Sequence, residues 1–390
     1  MVDIPALLEF AEGRRDVFAA DLRSMVDVDC GSYTPDGVNA IADVCERRFA
    51  NDGWIVERRS HQPDDEEPRL GDLVIGTLSG AGGPRVLLTG HTDTVFDEGT
   101  VARRPYRAEG DIAFGPGTSD MKGGLLAGFE AVEALQHIGF DRFSSITYVC
   151  NPDEEIGSPF SGPAIRELAG SADVAFVLEC ARASGDLVSS RKGVTDYSIE
   201  FVGRAAHAGV EPEKGASAVL AAAHATVALH ELNARWPGVT VNVGVSRGGS
   251  RSNVVAERSE LHVDLRAPDE ASMRDAEAQI GEISREAAVP GVEVLLHEHG
   301  WHRPMERSGR SATLADLAVL TAKELGLDIT DVATGGASDA NTTSAMGVPT
   351  LDGLGPVGGD AHAEGEWLDL ASVPTRIALL AALIARAGEV

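Results

Sequence analysis

The sequence contains few basic residues, few cysteines and no long apolar run. Its 390 residues include 33 Lys and Arg against 61 Asp and Glu, which gives a formal net charge of −28. Because such a chain repels phosphate groups, the charge balance argues against nucleic acid or an anionic membrane as a partner. No segment approaches the ~20 consecutive apolar residues that a membrane-spanning helix needs. We therefore expect neither a nucleic-acid nor a membrane partner.

The cysteines form no CxxC pair of the kind that binds metals or carries redox chemistry. Cys30, Cys45, Cys150 and Cys180 are widely spaced and predict buried free thiols in a reducing compartment. The first residues of the sequence lack the basic stretch and apolar run of a signal peptide. These features together predict a cytoplasmic protein.

Three apolar runs of the sequence are each followed by residues that can bind a metal ion. Short β-rich runs bounded by Gly, Pro and Asp predict buried strands. In an open α/β sheet, functional groups collect at the carboxyl ends of the strands. The runs 86–89, 145–150 and 174–178 are followed by His91 and Asp93, by Glu154 and Glu155, and by Glu179, respectively. The sequence therefore predicts that an imidazole and several carboxylates meet at one edge of one sheet.

Such a cluster needs a positive charge at its centre, because adjacent carboxylates repel one another and their pKa values rise. Histidine with Asp and Glu, without cysteine, is a ligand set for Zn²⁺ or a similar divalent cation. Two ions that share a bridging carboxylate would neutralise several acids at once. The alternative is that these residues are separate strand-end caps and surface acids, and for any one residue alone that interpretation is the better one. Their occurrence at successive strand ends favours a metal centre.

The length of the chain predicts two domains, and the order of the predicted elements places one inside the other. Residues 1–191 and 302–390 are expected to form an α/β domain that carries the metal-binding residues. Between them, residues 192–301 follow the order β-α-β-β-α-β of a ferredoxin-like unit, which predicts an inserted lid or dimerisation domain. We also expect a helix over 272–288 and an exposed acidic turn over 61–68.

Four segments together resemble the zinc-dependent exopeptidases and deacylases, a family that includes aminoacylases, acetylornithine deacetylase, succinyl-diaminopimelate desuccinylase and glutamate carboxypeptidase. The segments are His91-Thr92-Asp93-Thr94-Val95, Gly117-Thr118-Ser119-Asp120-Met121-Lys122-Gly123-Gly124, Asp153-Glu154-Glu155-Ile156-Gly157, and a late His362 with a Glu after it. The resemblance covers nearly the whole chain and is greatest to the glutamate carboxypeptidase branch, because Glu occupies position 179. It implies a catalytic domain with a central mixed sheet and flanking helices, plus an inserted ferredoxin-like lid.

The resemblance also implies a role for each motif residue. The first of two zinc ions would be held by His91, Asp120 and Glu179, and the second by Asp120, Glu155 and His362, with Asp120 bridging the two. Asp93 resembles the acid that orients His91 through its other ring nitrogen, and Glu154 resembles the general base. Two Zn²⁺ per subunit are expected, with Co²⁺ or Mn²⁺ as possible substitutes.

Further candidates lie in or next to the inserted unit. His207 resembles a lid histidine that reaches across a dimer to the partner's site, and Asn253 resembles a second lid donor, which implies a homodimer. Arg303 resembles the arginine that binds the α-carboxylate of the substrate in glutamate carboxypeptidases, and Arg266 is a second candidate for that role. Gly335 and Gly336 would let the backbone approach the substrate closely.

These observations lead to one main hypothesis and one close alternative. The main hypothesis is a metal-dependent amide hydrolase that releases a C-terminal, glutamate-like amino acid from a small N-acyl or peptidyl substrate. The alternative is a deacylase of the acetylornithine deacetylase or aminoacylase type with a different amino-acid preference. A metal-binding dimer without catalysis is disfavoured, because the base Glu154 is intact. Nucleotide binding is disfavoured too, because Gly115-Pro116-Gly117 lacks the GxGxxG spacing.

Overall fold

The computed structural model describes residues 2–64, 67–285 and 288–390. These residues divide into two compact units. Unit 1 takes in the chain up to Ser189, then Arg307–Ala333 and Ser338–Val390, and unit 2 comprises Ser190–Glu306 and Thr334–Ala337. The predicted domain borders were 191/192 and 301/302, whereas the units change over at Ser189/Ser190 and at Glu306/Arg307.

Two of the helices begin at residues that favour the start of a helix. The side chain of Asp3 accepts a hydrogen bond from Ala6 N at the start of the first helix, and Pro35 opens the second. The helices are α1 Ile4–Val26, α2 Pro35–Asn51, α3 Thr100–Arg103, α4 Gly123–His137, α5 Gly162–Ala169, α6 Ala218–Glu231, α7 Glu270–Arg285, α8 Gly309–Glu324, α9 Asp339–Ala345 and α10 Val373–Arg386.

The strands are short and are richest in apolar residues at the centre of unit 1. They are β1 Ile55–Arg59, β2 Leu73–Ser79, β3 Arg85–His91, β4 Arg107–Glu109, β5 Ile112–Phe114, β6 Ser145–Asn151, β7 Val174–Val177, β8 Leu187–Arg191, β9 Gly193–Val202, β10 Thr240–Gly248, β11 Arg258–Ala267, β12 Glu293–His302, β13 Asp331–Thr334, β14 Thr350–Leu351, β15 Gly358–Gly359 and β16 Trp367–Asp369.

Unit 1 is built around a mixed sheet with the order β1-β2-β6-β3-β7-β14. The strands β6, β3, β7 and β14 run parallel to one another, β2 runs antiparallel to β6, and β1 pairs antiparallel with β2 at the edge of the sheet. Because β3, β6 and β7 are parallel, their carboxyl ends lie at the same edge of the sheet. This edge is where the sequence places His91, the Glu154–Glu155 pair and Glu179.

Helices cover both faces of this sheet. On one face Val86, Leu88 and Tyr148 pack into a core that includes α1, α4 and α10. On the other face Leu87 and Val149 pack against α5. The alternation of side chains along each strand thus supplies both cores, and the sheet is buried in the way expected of parallel strands.

Unit 2 is a four-stranded antiparallel sheet with the order β10-β11-β9-β12 and two helices. Along the chain its elements follow the order β9-α6-β10-β11-α7-β12. Its own core includes Ile199, Leu229, Leu261 and Ile280.

The predicted fold class is confirmed in both parts, as a mixed α/β sheet with flanking helices and an inserted ferredoxin-like unit. The predicted helix over 272–288 is α7, Glu270–Arg285, and Glu286 and Ala287 lie outside the described residues. Part of the predicted acidic turn, Asp65 and Glu66, also lies outside them. All four cysteines are buried free thiols. Among the described residues, no helix combines the length and apolar character needed to cross a membrane.

An ionic cluster that the sequence did not predict lies between α1, α2 and α4. The fully buried Glu130 of α4 accepts from Arg14 Nε at 2.7 Å and from Arg48 Nη1 at 3.2 Å. Glu133, one turn further along α4, lies 3.3 Å from Arg14 and 3.4 Å from Arg48. Burial, reinforced by the charge of Glu130, raises the pKa of Glu133 to about 7. Ionising Glu133 therefore costs more free energy in the folded protein than in the unfolded chain.

Replacing Glu133 by Gln should stabilise the protein at high pH but not at low pH. The folded state holds the Glu133 proton more tightly than the unfolded chain does, so stability falls as pH rises from about 4.5 to about 7. Glu133→Gln removes that loss. We expect a gain of about 1 to 2 kcal/mol at pH 8, after allowance for solvent screening, and almost none at pH 4. Urea unfolding at both pH values measures this. The exposed Glu12→Gln controls for net charge, and equal effects of the two variants at pH 8 would contradict the prediction.

Candidate metal centre

The parallel strands deliver acidic and imidazole side chains to one edge of the sheet. His91 is the last residue of β3 and lies opposite Asn151, the last residue of β6. A short 3₁₀ turn, Glu154–Ile156, follows β6 and carries Glu154 and Glu155. Glu179 lies two residues beyond the end of β7 and is buried. Strand direction alone therefore brings these residues together.

Asp120 reaches the same edge on a glycine-rich turn that the buried Glu366 holds in place. Gly117 begins this turn with φ 73°, a conformation that favours glycine. The Glu366 carboxylate accepts from the backbone N–H groups of Gly117, Ser119 and Asp120 at 2.8, 2.9 and 3.0 Å, and from Ser119 Oγ at 3.2 Å. The turn that presents Asp120 is thus fixed by a side chain 246 residues away in sequence.

The second residue of α4, Gly124, allows this helix to approach the backbone beside Glu179. A Cβ atom at Gly124 would lie only 1.8 Å from the carbonyl oxygen of Leu178. The backbone carbonyl of Glu179 itself accepts from Gly355 N at 2.8 Å. The buried Arg376 donates to the carbonyls of Gly353, Gly355 and Gly185 and holds that loop. Close backbone contacts therefore fix the chain at Leu178 and at Glu179.

Two groups of side chains at this edge could each hold a metal ion. Within each group, one ligand atom from every residue lies within 4.8 Å of the others. The first group is His91, Asp120 and Glu179, and the second is Asp120, Glu155 and His362. Asp120 belongs to both groups, with Oδ1 3.0 Å from His91 Nε2 and Oδ2 3.1 Å from His362 Nε2. Oδ1 of Asp120 thus lies beside the first group and Oδ2 beside the second.

The electrostatics of the edge favour cations. Burial acts to raise the pKa of Asp120, but hydrogen bonds from His362 and His91 hold it well below its usual range. Burial acts to lower the pKa of His91, but contacts with Asp120 and Asp93 raise it well above its usual value. Hydrogen bonds to Asp120 and Glu155 raise the pKa of His362 to about 10. The pKa values of both imidazoles are thus raised by the acidic groups around them.

Glu154 lies beside these groups but belongs to neither of them. Burial raises its pKa well above the usual value; His91 partly offsets this, while Glu179, Asp339 and Glu155 add to it. A carboxylate with a raised proton affinity next to a cation site is suited to accept and return a proton.

Asp93 joins His91 to the turn that carries the two glutamates. His91 Nδ1 lies 3.0 Å from the Asp93 carbonyl oxygen and 3.4 Å from its Oδ1. The Asp93 carboxylate accepts from Glu154 N and Glu155 N, each at 3.2 Å, and from Ser32 Oγ at 2.7 Å. Asp93 therefore orients the ring of His91 mostly through its carbonyl, while its carboxylate holds the turn.

The residues present fit a pair of divalent cations. Imidazole nitrogens and carboxylate oxygens are the ligands that zinc prefers when cysteine is absent. Oε1 of Glu155 is buried and has no hydrogen-bond partner among the described residues, which is costly for a carboxylate unless a cation is bound. The chemistry of the donor set and this unpartnered oxygen both point to metal.

The remaining predicted site residues belong to unit 2. The segments of His207 and Asn253 lie side by side, because Ala208 N donates to Asn253 O at 3.0 Å, and both side chains are exposed. Arg303 Nη1 donates to both carboxylate oxygens of Glu277, at 2.9 and 3.0 Å.

The other candidate arginine contacts the predicted glycine turn. Arg266 pairs with Asp264 at 3.1 Å and donates to Gly335 O at 3.0 Å. The carbonyl of Gly336 accepts from Arg191 at 2.9 Å. Both candidate arginines therefore already contact acids of their own unit.

Sequence reasoning missed several residues that hold the site together, namely Ser32, Asn151, Ser158, Asp339, Glu366 and Arg376. The glutamate after His362 is part of the family resemblance, which implies no role for it. Ser32 lies in the Cys30–Gly37 break between α1 and α2, and Asp339 follows the Gly335–Gly336 turn. Arg376 gave no signal in the sequence, and the only signal for the others was their position beside the motifs named above.

Comparison with known proteins places this centre in a family. The model of peptidase family M20/M25/M40 matches residues 87–386, and the chain belongs to this family. Carboxypeptidase G2 of Pseudomonas sp. (strain RS-16) is 28% identical over 387 residues, covering 98% of this chain and 92% of that protein. Acetylornithine deacetylase of Proteus mirabilis (strain HI4320) is 28% identical over 282 residues, covering 68% and 69%. The chain is thus a metal-dependent hydrolase of the peptidase and amidohydrolase type, and the predicted resemblance is confirmed.

Solved structures agree on the fold. An aminopeptidase, PepT, from Bacillus cereus ATCC 10987 superposes with a TM-score of 0.78 at 22% identity, over 96% of this chain and 98% of that one. The M20 family metallo-carboxypeptidase Sso-CP2 from Sulfolobus solfataricus gives a TM-score of 0.73 at 16% identity, over 96% and 99%.

Replacing Glu366 by Ala should destabilise the turn that carries Asp120. The substitution leaves three backbone N–H groups without their acceptor, which we expect to cost about 3 to 5 kcal/mol. Urea unfolding of the chelator-treated protein measures this without a contribution from bound metal. The exposed Glu364→Ala, two residues earlier, is the matched control, and equal stability of the two variants would contradict the structural role of Glu366.

Proposed function

We propose that the chain is a di-zinc carboxypeptidase that releases a C-terminal, glutamate-like amino acid from small N-acyl or peptidyl substrates. The observation that supports this most directly is the pair of donor groups that share Asp120, with Glu154 beside them. The similarity to carboxypeptidase G2 over nearly the full length of both chains supports the carboxypeptidase type. Zinc is proposed as the metal, with Co²⁺ or Mn²⁺ as substitutes.

In this proposal the metal ligands are His91, Asp120, Glu155, Glu179 and His362. The bound cations would supply Lewis acidity, polarising the scissile carbonyl and lowering the pKa of the attacking water. Glu154 would take a proton from that water and return it to the leaving amine, and Asp93 would keep His91 in the correct orientation. His207 and Asn253 would donate hydrogen bonds to the developing oxyanion.

Recognition of the released amino acid is proposed to depend on Arg303, with Arg266 as a second candidate. A guanidinium can bind a carboxylate through two parallel hydrogen bonds. Arg303 makes such contacts with Glu277, so a substrate carboxylate would have to replace or share that partner. Gly335 and Gly336 are proposed to let the backbone approach the substrate.

A second candidate function is an N-acyl-amino-acid deacylase with a different preference. The similarity to acetylornithine deacetylase, although it spans a smaller part of the chain, supports this alternative. Because one metal centre would serve both reactions, the released amino acid distinguishes them. Release of Glu or Asp supports the carboxypeptidase type, and release of a basic or hydrophobic residue supports the deacylase.

A panel of N-acyl amino acids and dipeptides, assayed together with zinc content, tests the proposed function. We expect N-acyl glutamates to be hydrolysed by the zinc-loaded protein and activity to be lost on chelation. Within this assay, Glu154→Gln should lower kcat by about 10²- to 10⁴-fold while both metal ions stay bound, because only the proton acceptor is removed. The exposed Glu167→Gln controls for a change of charge. Hydrolysis that survives chelation, or full turnover by Glu154→Gln, would overturn the assignment.

A homodimer formed through unit 2 is part of the proposal. The helix α6 exposes Val219, Leu220 and Val227 by 42, 50 and 61% of their surfaces. The strand β10 lies at the edge of its four-stranded sheet, and an open strand edge can pair with a second chain. These features support an interface between two copies, from which His207 would reach the partner's site.

The double substitution Leu220→Glu/Val227→Glu should convert a dimer to a monomer, because it places charges in the proposed apolar interface. Sedimentation velocity should show twice the chain mass for the unmodified protein and the single-chain mass for the variant. Ile55→Glu, at an exposed apolar residue of unit 1, should remain dimeric. A fully active monomer of the unmodified chain would refute the proposal.

A further inference from the structure

Asp339 is a buried acid that lies outside both donor groups and outside the predicted substrate contacts. It is the first residue of α9 and is 2% exposed. Its Oδ2 accepts from Asn151 Nδ2 at 2.8 Å, and its Oδ1 accepts from Ser158 Oγ at 2.8 Å. Both carboxylate oxygens are therefore used, and neither points to a metal group.

The two partners of Asp339 lie on either side of the turn that carries Glu154 and Glu155. Asn151 ends the strand before the turn, and Ser158 follows it with φ 54°, an unusual conformation for serine. Ser158 N donates to Asp153 O at 2.8 Å, which closes the turn. Asp339 thus ties together the entrance and the exit of the segment that presents the glutamates.

The same turn is held at its middle by Asp93, through the N–H groups of Glu154 and Glu155. Asp153 adds a local brace by accepting from Phe160 N at 2.6 Å. Of these contacts, Asp339 alone comes from α9, 181 residues from Ser158 in sequence. Asp93 thus links the turn to the end of β3, and Asp339 links the two ends of the turn to α9.

We propose that Asp339 is a positioning residue that fixes the Glu154–Glu155 turn and so keeps the Glu154 carboxylate in place to act as the base. The inference rests on the proposed hydrolase function. Asp339 does not touch the reacting atoms; it acts through Asn151 and Ser158.

The hydrogen-bond chemistry identifies which substitution breaks these links. Asp339→Ala removes both acceptors and leaves the NH₂ group of Asn151 and the hydroxyl of Ser158 without them. Asp339→Asn keeps an amide oxygen that can accept from Ser158. Its new NH₂ group can donate to Oδ1 of Asn151 once that amide rotates by half a turn, because this oxygen is buried without a partner among the described residues. The conservative variant therefore preserves both links.

The test compares Asp339→Ala with the conservative Asp339→Asn by steady-state kinetics on the zinc-loaded enzyme. Asp339→Ala should lower kcat by about 10- to 100-fold, the range typical of residues that orient the groups of a site through hydrogen bonds. KM should change little, because substrate binding does not depend on the base. Asp339→Asn should keep most of the kcat. A rise in KM at unchanged kcat would instead show that Asp339 serves substrate binding, and would overturn the proposal.

Asp352→Ala is the matched control, because Asp352 is equally buried and contacts the same end of α9. Asp352 accepts from Ser338 Oγ at 2.7 Å, and its substitution leaves the contacts of Asp339 with Asn151 and Ser158 in place. This variant should lose stability in urea but keep its kcat. A loss of kcat equal to that of Asp339→Ala would show a general effect of loosening α9 and would contradict the proposal.

Amide hydrogen exchange separates this proposal from the proposed function. In the zinc-loaded protein, residues 152–161 should exchange faster in Asp339→Ala than in Asp352→Ala, whatever the substrate is. If the unmodified enzyme hydrolyses nothing in the panel but this exchange difference is seen, the proposed function fails and the anchoring of the turn stands. If the enzyme is active but Asp339→Ala matches it in both kcat and exchange, the positioning role is wrong.

Discussion

Repulsion between carboxylates at one edge of the central sheet is the constraint on which the rest of unit 1 depends. Asp120, Glu154, Glu155 and Glu179 meet there, and the pKa values of both imidazoles in the cluster are raised by that negative charge. Such an arrangement is unfavourable without a cation, because burial penalises each charge and like charges add to the penalty. A cation bound by these groups would relieve the repulsion, so we expect metal binding to stabilise the fold as well as to supply its chemistry.

The surrounding structure acts to hold the acids in place rather than to neutralise them. Glu366 binds three N–H groups of the Asp120 turn, and Asp93 binds two of the Glu154–Glu155 turn. Arg376 donates to the carbonyls of the loop beside Glu179. Each of these contacts is made to the backbone, so they hold the turns without using the side chains of the candidate ligands. A rigid site of this kind lowers the cost of ordering the ligands when a cation binds.

Much of this centre could be predicted from the sequence, because strand direction is a local property. An apolar run followed by His or Glu shows which residue lies at a strand end, and parallel strands bring their ends together. His91, Glu155 and Glu179 were found in this way, while Asp120 and His362 were assigned through the family resemblance. The ferredoxin-like order of elements in unit 2 could also be predicted, because each strand and helix has its own short-range pattern of apolar residues.

The supporting residues could not be predicted, because their partners are distant in the chain. Glu366 lies 246 residues from Asp120, and Asp339 lies 188 residues from Asn151. No periodicity or spacing connects such pairs, and each residue alone resembles an ordinary buried acid or a loop glutamate. The ion pair between Arg303 and Glu277 could not be predicted either, because no sequence pattern connects the two residues. Sequence patterns therefore identified the candidate metal ligands more readily than the residues that hold those ligands in position.

Anomalous scattering from crystals grown with zinc tests the central claim most directly. The account predicts two zinc peaks per chain, one bound by His91, Asp120 and Glu179 and the other by Asp120, Glu155 and His362, with ligand distances of about 2.0–2.2 Å. A single peak, or two peaks that do not share Asp120, would contradict it.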